Sequence, residues 1–138
     1  MNNFVFAVDE NYNHQLFYSL YSLLENIDSE INLYIIHKKP MTFSNFHNLL
    51  KKDFNNFNLY IYKFEYSSFY FPEVENRHVS EATYYRLFID KIIPEEVDQY
   101  IYMDADIICV NNPEHYINEV FEDMSKKKYI IAARTENN

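Results

Sequence analysis

Apolar residues along this 138-residue chain change period repeatedly, alternating in some segments and recurring at helical spacing in the segments between. A chain written this way folds as strands and helices in turn. Residues 3–9 alternate and close on Asp9, which predicts a first strand. From His14 to Asn26, Leu16, Phe17, Leu20, Leu23 and Leu24, followed by Ile27, fall on one helical face. Ile31 to His37 is a β-rich run ended by Lys38-Lys39-Pro40. Thr42 is placed to cap a second helix with a buried stripe of Phe43, Phe46, Leu49 and Leu50. Asn58 to Phe64 alternates again as a third strand. A loop containing Pro72 follows, then a helix from near Ser80 to about Lys91. Pro94 to Asp98 reads as a turn into a fourth strand that carries Asp104 and Asp106. Asn111-Asn112-Pro113 breaks the chain, a short helix covers 114–123, and Lys128 to Ala133 forms a last strand. The order βαβαβαβαβ predicts an α/β fold with a parallel-dominated sheet and right-handed crossovers. No repeat or linker divides residues 1–138, which are expected to form one domain. Its last strand stops almost where the chain does, so the domain is expected to be incomplete.

Within this pattern, Tyr100-Ile-Tyr-Met-Asp104-Ala-Asp106-Ile-Ile-Cys-Val110 stands out. Its flanks read as a buried central strand of a parallel sheet. Two carboxylates two residues apart interrupt it, and in a strand such residues project to one side. An unpaired buried carboxylate is costly, so the pair is expected at a strand end, against cations, or on a metal. Open parallel sheets collect ligands at the carboxyl ends of their strands. Paired oxygen ligands suit Mn²⁺ or Mg²⁺, which keep waters and are completed by substrate phosphates. The plainer reading is a strand-end turn with two solvated carboxylates. An EF-hand loop is excluded, because Ile108 and Cys109 stand where such a loop needs an oxygen ligand and a glycine.

The chain contains no glycine at all. That removes the Walker loop and the glycine-rich dinucleotide turn, so phosphate recognition cannot rest on a glycine nest. The net charge of −9 argues against nucleic acid as a partner, since neutralising phosphates takes clustered Lys and Arg. The basic run Lys126-Lys127-Lys128 reads as a solvated surface. An acidic protein that takes an anionic diphosphate needs a cation to bridge the two, which agrees with the Asp pair. The single Cys109 offers no disulfide framework and reads as a packed thiol. No signal peptide and no membrane-spanning apolar stretch is visible, which leaves a cytoplasmic location, extended to peripheral contact at the inner face of the membrane.

Three segments in order resemble glycosyltransferase family 8, the nucleotide-diphospho-sugar transferases that include lipopolysaccharide galactosyl- and glucosyltransferases and glycogenin. Phe6-Ala-Val-Asp9-Glu-Asn11-Tyr12 is similar to the family's opening segment. Ser80-Glu-Ala-Thr83-Tyr-Tyr-Arg86-Leu is similar to its middle helix, and Tyr102-Met-Asp104-Ala105-Asp106 to its metal motif. The resemblance spans essentially the whole chain and matches the N-terminal half of that family. It implies a Rossmann-like, GT-A type fold and a metal-dependent retaining transfer of a hexose from a UDP-sugar to a saccharide acceptor. It also implies that Ala7, Asp9, Asn11 and Tyr12 hold uracil and ribose, with Tyr12 stacking and the two polar side chains meeting the base edge. Asp9 and Asn11 would otherwise be ordinary turn formers. Val79 and Ser80, with His78, would line the nucleotide pocket, and Ala105 would lie beneath the ribose. Arg86 would contact the diphosphate or sugar; its alternative is a helix-surface ion pair with Asp90. Asp104 and Asp106 would hold Mn²⁺ or Mg²⁺. Two departures are visible. Ala132-Ala133-Arg134-Thr135-Glu136 puts Glu136 where the family has a donor-sugar Asp. The family's later His-x-x-Gly-x-x-Lys-Pro motif, which supplies a third metal ligand, has no counterpart here. No residue is assignable as a catalytic nucleophile. Two other readings accompany this one: a non-catalytic or fragmentary nucleotide-sugar-binding module, and a haloacid-dehalogenase-type phosphatase, which also carries Asp-x-Asp after an apolar strand. Donor sugar, acceptor and oligomeric state are not written in these residues.

Overall fold

A computed structural model describes residues 1–65 and 82–133. In chain order its elements are β1 (Asn2–Val8), a 3₁₀ turn (Glu10–Tyr12), α1 (Asn13–Asn26), β2 (Ile31–His37), a second 3₁₀ turn (Pro40–Phe43), α2 (Ser44–Asp53) and β3 (Phe57–Lys63). There follow α3 (Ala82–Tyr85), a third 3₁₀ turn (Arg86–Phe88), α4 (Ile89–Ile92), β4 (Ile101–Tyr102) and α5 (Glu114–Lys127). The strands form a sheet in the order β3-β2-β1-β4, and every pairing is parallel.

Side-chain alternation divides the core into two layers. Phe4, Phe6 and Val8 of β1 and Ile31, Leu33 and Ile35 of β2 face Leu16, Leu20, Leu23 and Leu24 of α1, with Phe43 and Leu50 beside them. Val5, Tyr34 and Ile36 face the other way, against Tyr85, Phe88, Ile89 and Ile93. Both faces of the two inner strands are therefore covered, and β2 reads as a nearly continuous apolar run for that reason. Across the amino ends of the strands runs a row of asparagines in register. Asn58 Nδ2 donates to Asn32 Oδ1 at 3.2 Å, and Asn32 Nδ2 donates to Asn3 Oδ1 at 3.0 Å. Asn3 Nδ2 completes the row on the Gln99 carbonyl at 3.0 Å.

The first three strands and the first helix fall within a residue of their predicted bounds, and the turn at Pro94 closes with Val97 N–H on the Pro94 carbonyl at 3.0 Å. Among the described residues, the helix expected from near Ser80 to about Lys91 is instead broken into α3, the third 3₁₀ turn and α4, and other expectations differ as well. Thr42 does not cap α2: it sits inside the Pro40–Phe43 turn and gives its hydroxyl to the Lys39 carbonyl at 2.7 Å. Leu49 is 44% exposed, so the buried stripe of α2 narrows to Leu50 with partial cover for Phe46. The fourth strand is short and ends at Tyr102. Beyond Asp106 the backbone bonds to α1 instead of to a strand: Cys109 N–H donates to Ser22 Oγ at 2.9 Å, and the Cys109 carbonyl accepts from Asn26 Nδ2 at 3.1 Å. Ile107, Ile108 and Val110 are accordingly exposed, while Cys109 packs partly against the first core layer.

The strand expected from Lys128 to Ala133 does not form. Helix α5 continues to Lys127, and Lys128 ends it in the left-handed region at φ 56°. Residues 129–133 are not in a strand, and Ile130 and Ile131 are 91% and 78% exposed. β-Branched composition alone does not make a strand; it needs a neighbour to pair with.

Candidate functional site

The chain winds outward from β1 to β2 and β3 and then returns to the far side of β1 as β4. The seam between β1 and β4 is thus the place where strand order reverses, and the carboxyl ends of two such strands diverge to leave a crevice. Both acidic segments singled out in the sequence leave the sheet at that edge. β1 delivers Asp9 to Tyr12. β4, held to β1 by Met103 N–H on the Val5 carbonyl at 3.0 Å, delivers Asp104 to Asp106.

Asp9 is buried and accepts from Asn11 N–H through Oδ1 at 2.9 Å, so it caps the short turn that precedes α1. The turn-forming role is therefore real, and it occupies one carboxylate oxygen. The same turn leaves Asn11 exposed and Tyr12 37% exposed beside it. Ala7 lies on the opposite sheet face and packs against the second core layer. Glu10 pairs with the Lys39 ammonium, and that hydrogen bond holds its carboxyl below the usual carboxylate range.

Asp104 and Asp106 lie in the turn just past β4, both exposed, with Ala105 between them buried in the first core layer. Alternation has thus placed the small side chain inward and both carboxylates outward. Arg86 comes from the third 3₁₀ turn. Its Nη2 lies 3.5 Å from Asp104 Oδ1, its Nε donates to the Thr83 carbonyl at 3.0 Å, and its guanidinium carbon sits 5.1 Å from the centre of the Tyr102 ring. The ion pair therefore crosses to β4 and does not follow the helix to Asp90. Burial pushes the Tyr102 phenol up to about 12, with the Asp104 and Asp106 carboxylates adding to the rise and Arg86 opposing it. Tyr102 stays protonated at any physiological pH.

Two exposed carboxylates suit a divalent ion that keeps waters and takes its remaining ligands from a bound phosphate. They do not make an all-protein cage: among the described residues no group of three or more His, Cys, Asp or Glu could hold a metal. His78, Val79, Ser80 and Glu136 lie outside the described residues. Sequence reasoning passed over His37, fully buried at the end of β2, with Asn13 and Lys39 as partners. Its place at the end of an apolar run was the available signal.

A parallel α/β sheet with an acidic pair at its switch point defines a Rossmann-like protein of the GT-A type. Over residues 3–137 the chain matches Glycosyl transferase family 8, and it belongs to that family. Among solved structures it is similar to the galactosyltransferase LgtC in complex with donor and acceptor sugar analogs. Identity there is 23% over 83% of this chain and 41% of that one, with a TM-score of 0.65. It is also similar to an active-site mutant of LgtC, at 22% identity over 83% of this chain and TM-score 0.66. The apo bifunctional glycosyltransferase WbbM matches 85% of this chain and 20% of its own, at 19% identity and TM-score 0.64. The chain thus spans about two fifths of the length of LgtC. A comparison with curated proteins found no match. No helix among the described residues is long and apolar enough to cross a membrane. Membership of family 8 removes the phosphatase reading.

Proposed function

We propose that this chain forms the donor side of a metal-dependent, retaining hexosyltransferase that takes its sugar from UDP and gives it to a saccharide acceptor. The observation that carries the reading is the convergence of the Asp9–Tyr12 turn, the Asp104–Asp106 turn and the Arg86 guanidinium at the β1/β4 switch point. Asp9 and Asn11 offer an acceptor and a donor to the uracil edge, and Tyr12 offers an aromatic face. Ala105, turned into the core, leaves the backbone between the two carboxylates open to the ribose, and Ala7 would contribute from the end of β1. From the family resemblance alone, His78, Val79 and Ser80 would line the nucleotide pocket and Glu136 would meet the donor sugar.

Asp104 and Asp106 would hold Mn²⁺ or Mg²⁺, which would supply positive charge against the donor's diphosphate and the departing UDP. Arg86 would shift part of its charge from Asp104 to the diphosphate, for which a guanidinium fork is the better donor. The chain's formal charge of −9 makes such positive partners necessary for an anionic donor. A cytoplasmic site of action, with peripheral contact at the inner membrane face, goes with this reading. A nucleotide-sugar-binding role without transfer is the alternative; among the described residues no third metal-ligating side chain joins Asp104 and Asp106.

Calorimetric titration of UDP in Mn²⁺ and in EDTA, with and without the Asp104→Ala, Asp106→Ala double substitution, tests the donor site. Binding that requires Mn²⁺ and is lost in the double variant is the expected result. A folded chain that ignores UDP under every condition would sink the proposal.

A further inference from the structure

His37 ends β2 with none of its surface exposed, and both ring nitrogens are engaged. Nδ1 accepts from Lys39 N–H at 2.8 Å, and Nε2 lies 2.8 Å from Asn13 Oδ1. A nitrogen that accepts from an amide carries no proton, so the ring is neutral, bears its hydrogen on Nε2 and donates to Asn13. Asn13 follows Tyr12 directly and opens α1. Its Nδ2 donates to Thr42 Oγ1 at 2.9 Å and to the Thr42 carbonyl at 3.3 Å. Thr42 returns to the Lys39 carbonyl, and the Lys39 ammonium pairs with Glu10. These contacts form a closed circuit that fastens the turn after β2 to both ends of the Glu10–Tyr12 turn.

We propose that the Asn13–His37 pair is a positioning device for the nucleoside: it fixes the Asp9–Tyr12 turn without touching the ligand, and only while His37 is neutral. This rests on the donor-site reading above. A doubly protonated ring would set Nδ1–H against Lys39 N–H and break the circuit at that point. The groups that bear on the ring are Asp9 and Glu10 from the β1–α1 turn, which favour its charged form, while burial outweighs them and favours the neutral one. Lys38 and Lys39 follow it in its own chain, and the Phe43 ring lies 6.5 Å away from the second 3₁₀ turn.

The test is UDP affinity in Mn²⁺, measured by calorimetry from pH 5 to pH 8 on the wild-type chain, on Asn13→Asp and on His37→Gln, each checked for folding by circular dichroism. An Asp at position 13 still accepts from Nε2 but favours the charged ring, so the acid loss of binding should move to higher pH. It also leaves the Thr42 contacts one donor short, and affinity at pH 8 should fall by about tenfold, the size of one buried hydrogen bond. Gln at position 37 keeps a donor and an acceptor and does not titrate, so its share of the acid loss should disappear. If the wild-type chain binds UDP and both variants keep its pH profile, the positioning role is wrong and the donor site stands. If the wild-type chain binds no UDP, the donor-site reading falls and the inference falls with it. Should His37→Gln fail to fold, the shift in Asn13→Asp decides alone.

Discussion

Burial holds the His37 imidazole below its ordinary value of 6.5. The sign of the consequence is fixed: the unfolded chain takes up the proton first as pH falls, so stability is full above 6.5 and drains away between there and the lower native value. Urea denaturation from pH 8 down to pH 5 should show this loss, and His37→Gln should remove its share, leaving that of His47, which burial also holds down. Arg86 offers a second check at the same scale. Replacing it by Ala should weaken UDP binding in Mn²⁺ by about tenfold, on the order of one charge-assisted hydrogen bond, and Lys should restore only part of it. Asp104 and Asp106 were legible in the sequence because two carboxylates in an apolar run demand an explanation. His37 and Asn13 were not, because they stand 24 residues apart and meet only when β2 lies beside β1. Arg86 could be singled out, but not its partner: helical spacing offered Asp90, and the return of the chain as β4 supplied Asp104.

Elements with their own periodicity were read nearly to the residue, and those that depend on a neighbour were misread. Helix α1 and strand β2 carry their patterns internally. The run after Asp106 has the composition of a strand, yet Ser22 and Asn26 of α1 take its backbone bonds at Cys109. Ser22→Ala should therefore cost about 1 kcal/mol or more in a denaturant titration, since it strands a part-buried N–H. The end of α5 makes the opposite case. Lys128 alone among the described residues has a positive φ without being glycine, and its N–H and that of Tyr129 close the helix on Ser125 and Met124. Lys128→Gly should raise stability by about 0.5–1 kcal/mol, because glycine reaches that conformation without a Cβ penalty. A loss of stability there would show that the lysine side chain contributes more than its backbone costs.

For the molecule as a whole, the winding of the sheet accounts for the position of the site, and one continuous core holds each face of it. Ile35 is fully buried on the α1 side of β2, and Ile35→Ala should cost about 2–5 kcal/mol while leaving a single unfolding transition by every probe. Parallel order and a site at the carboxyl ends of the strands followed from the alternation of strands and helices; the reversal of strand order at β1/β4 and the absence of pairing for residues 129–133 did not, since sequence records a strand's aptitude and not its neighbour. At the opposite end of the sheet, the row Asn58, Asn32, Asn3 has a bearing on how the molecule ages. Each inner amide gives one hydrogen bond and takes another, so the row has a direction and tolerates no carboxylate in place of an amide. Hydrolysis of the Asn32 side chain to Asp would remove the donor to Asn3 and set a second negative charge against Glu30, which already accepts from Asn58 at 3.1 Å. A stored sample that deamidates there would come apart first at the ends of the strands remote from the nucleotide, and its melting temperature would record its age before its affinity did.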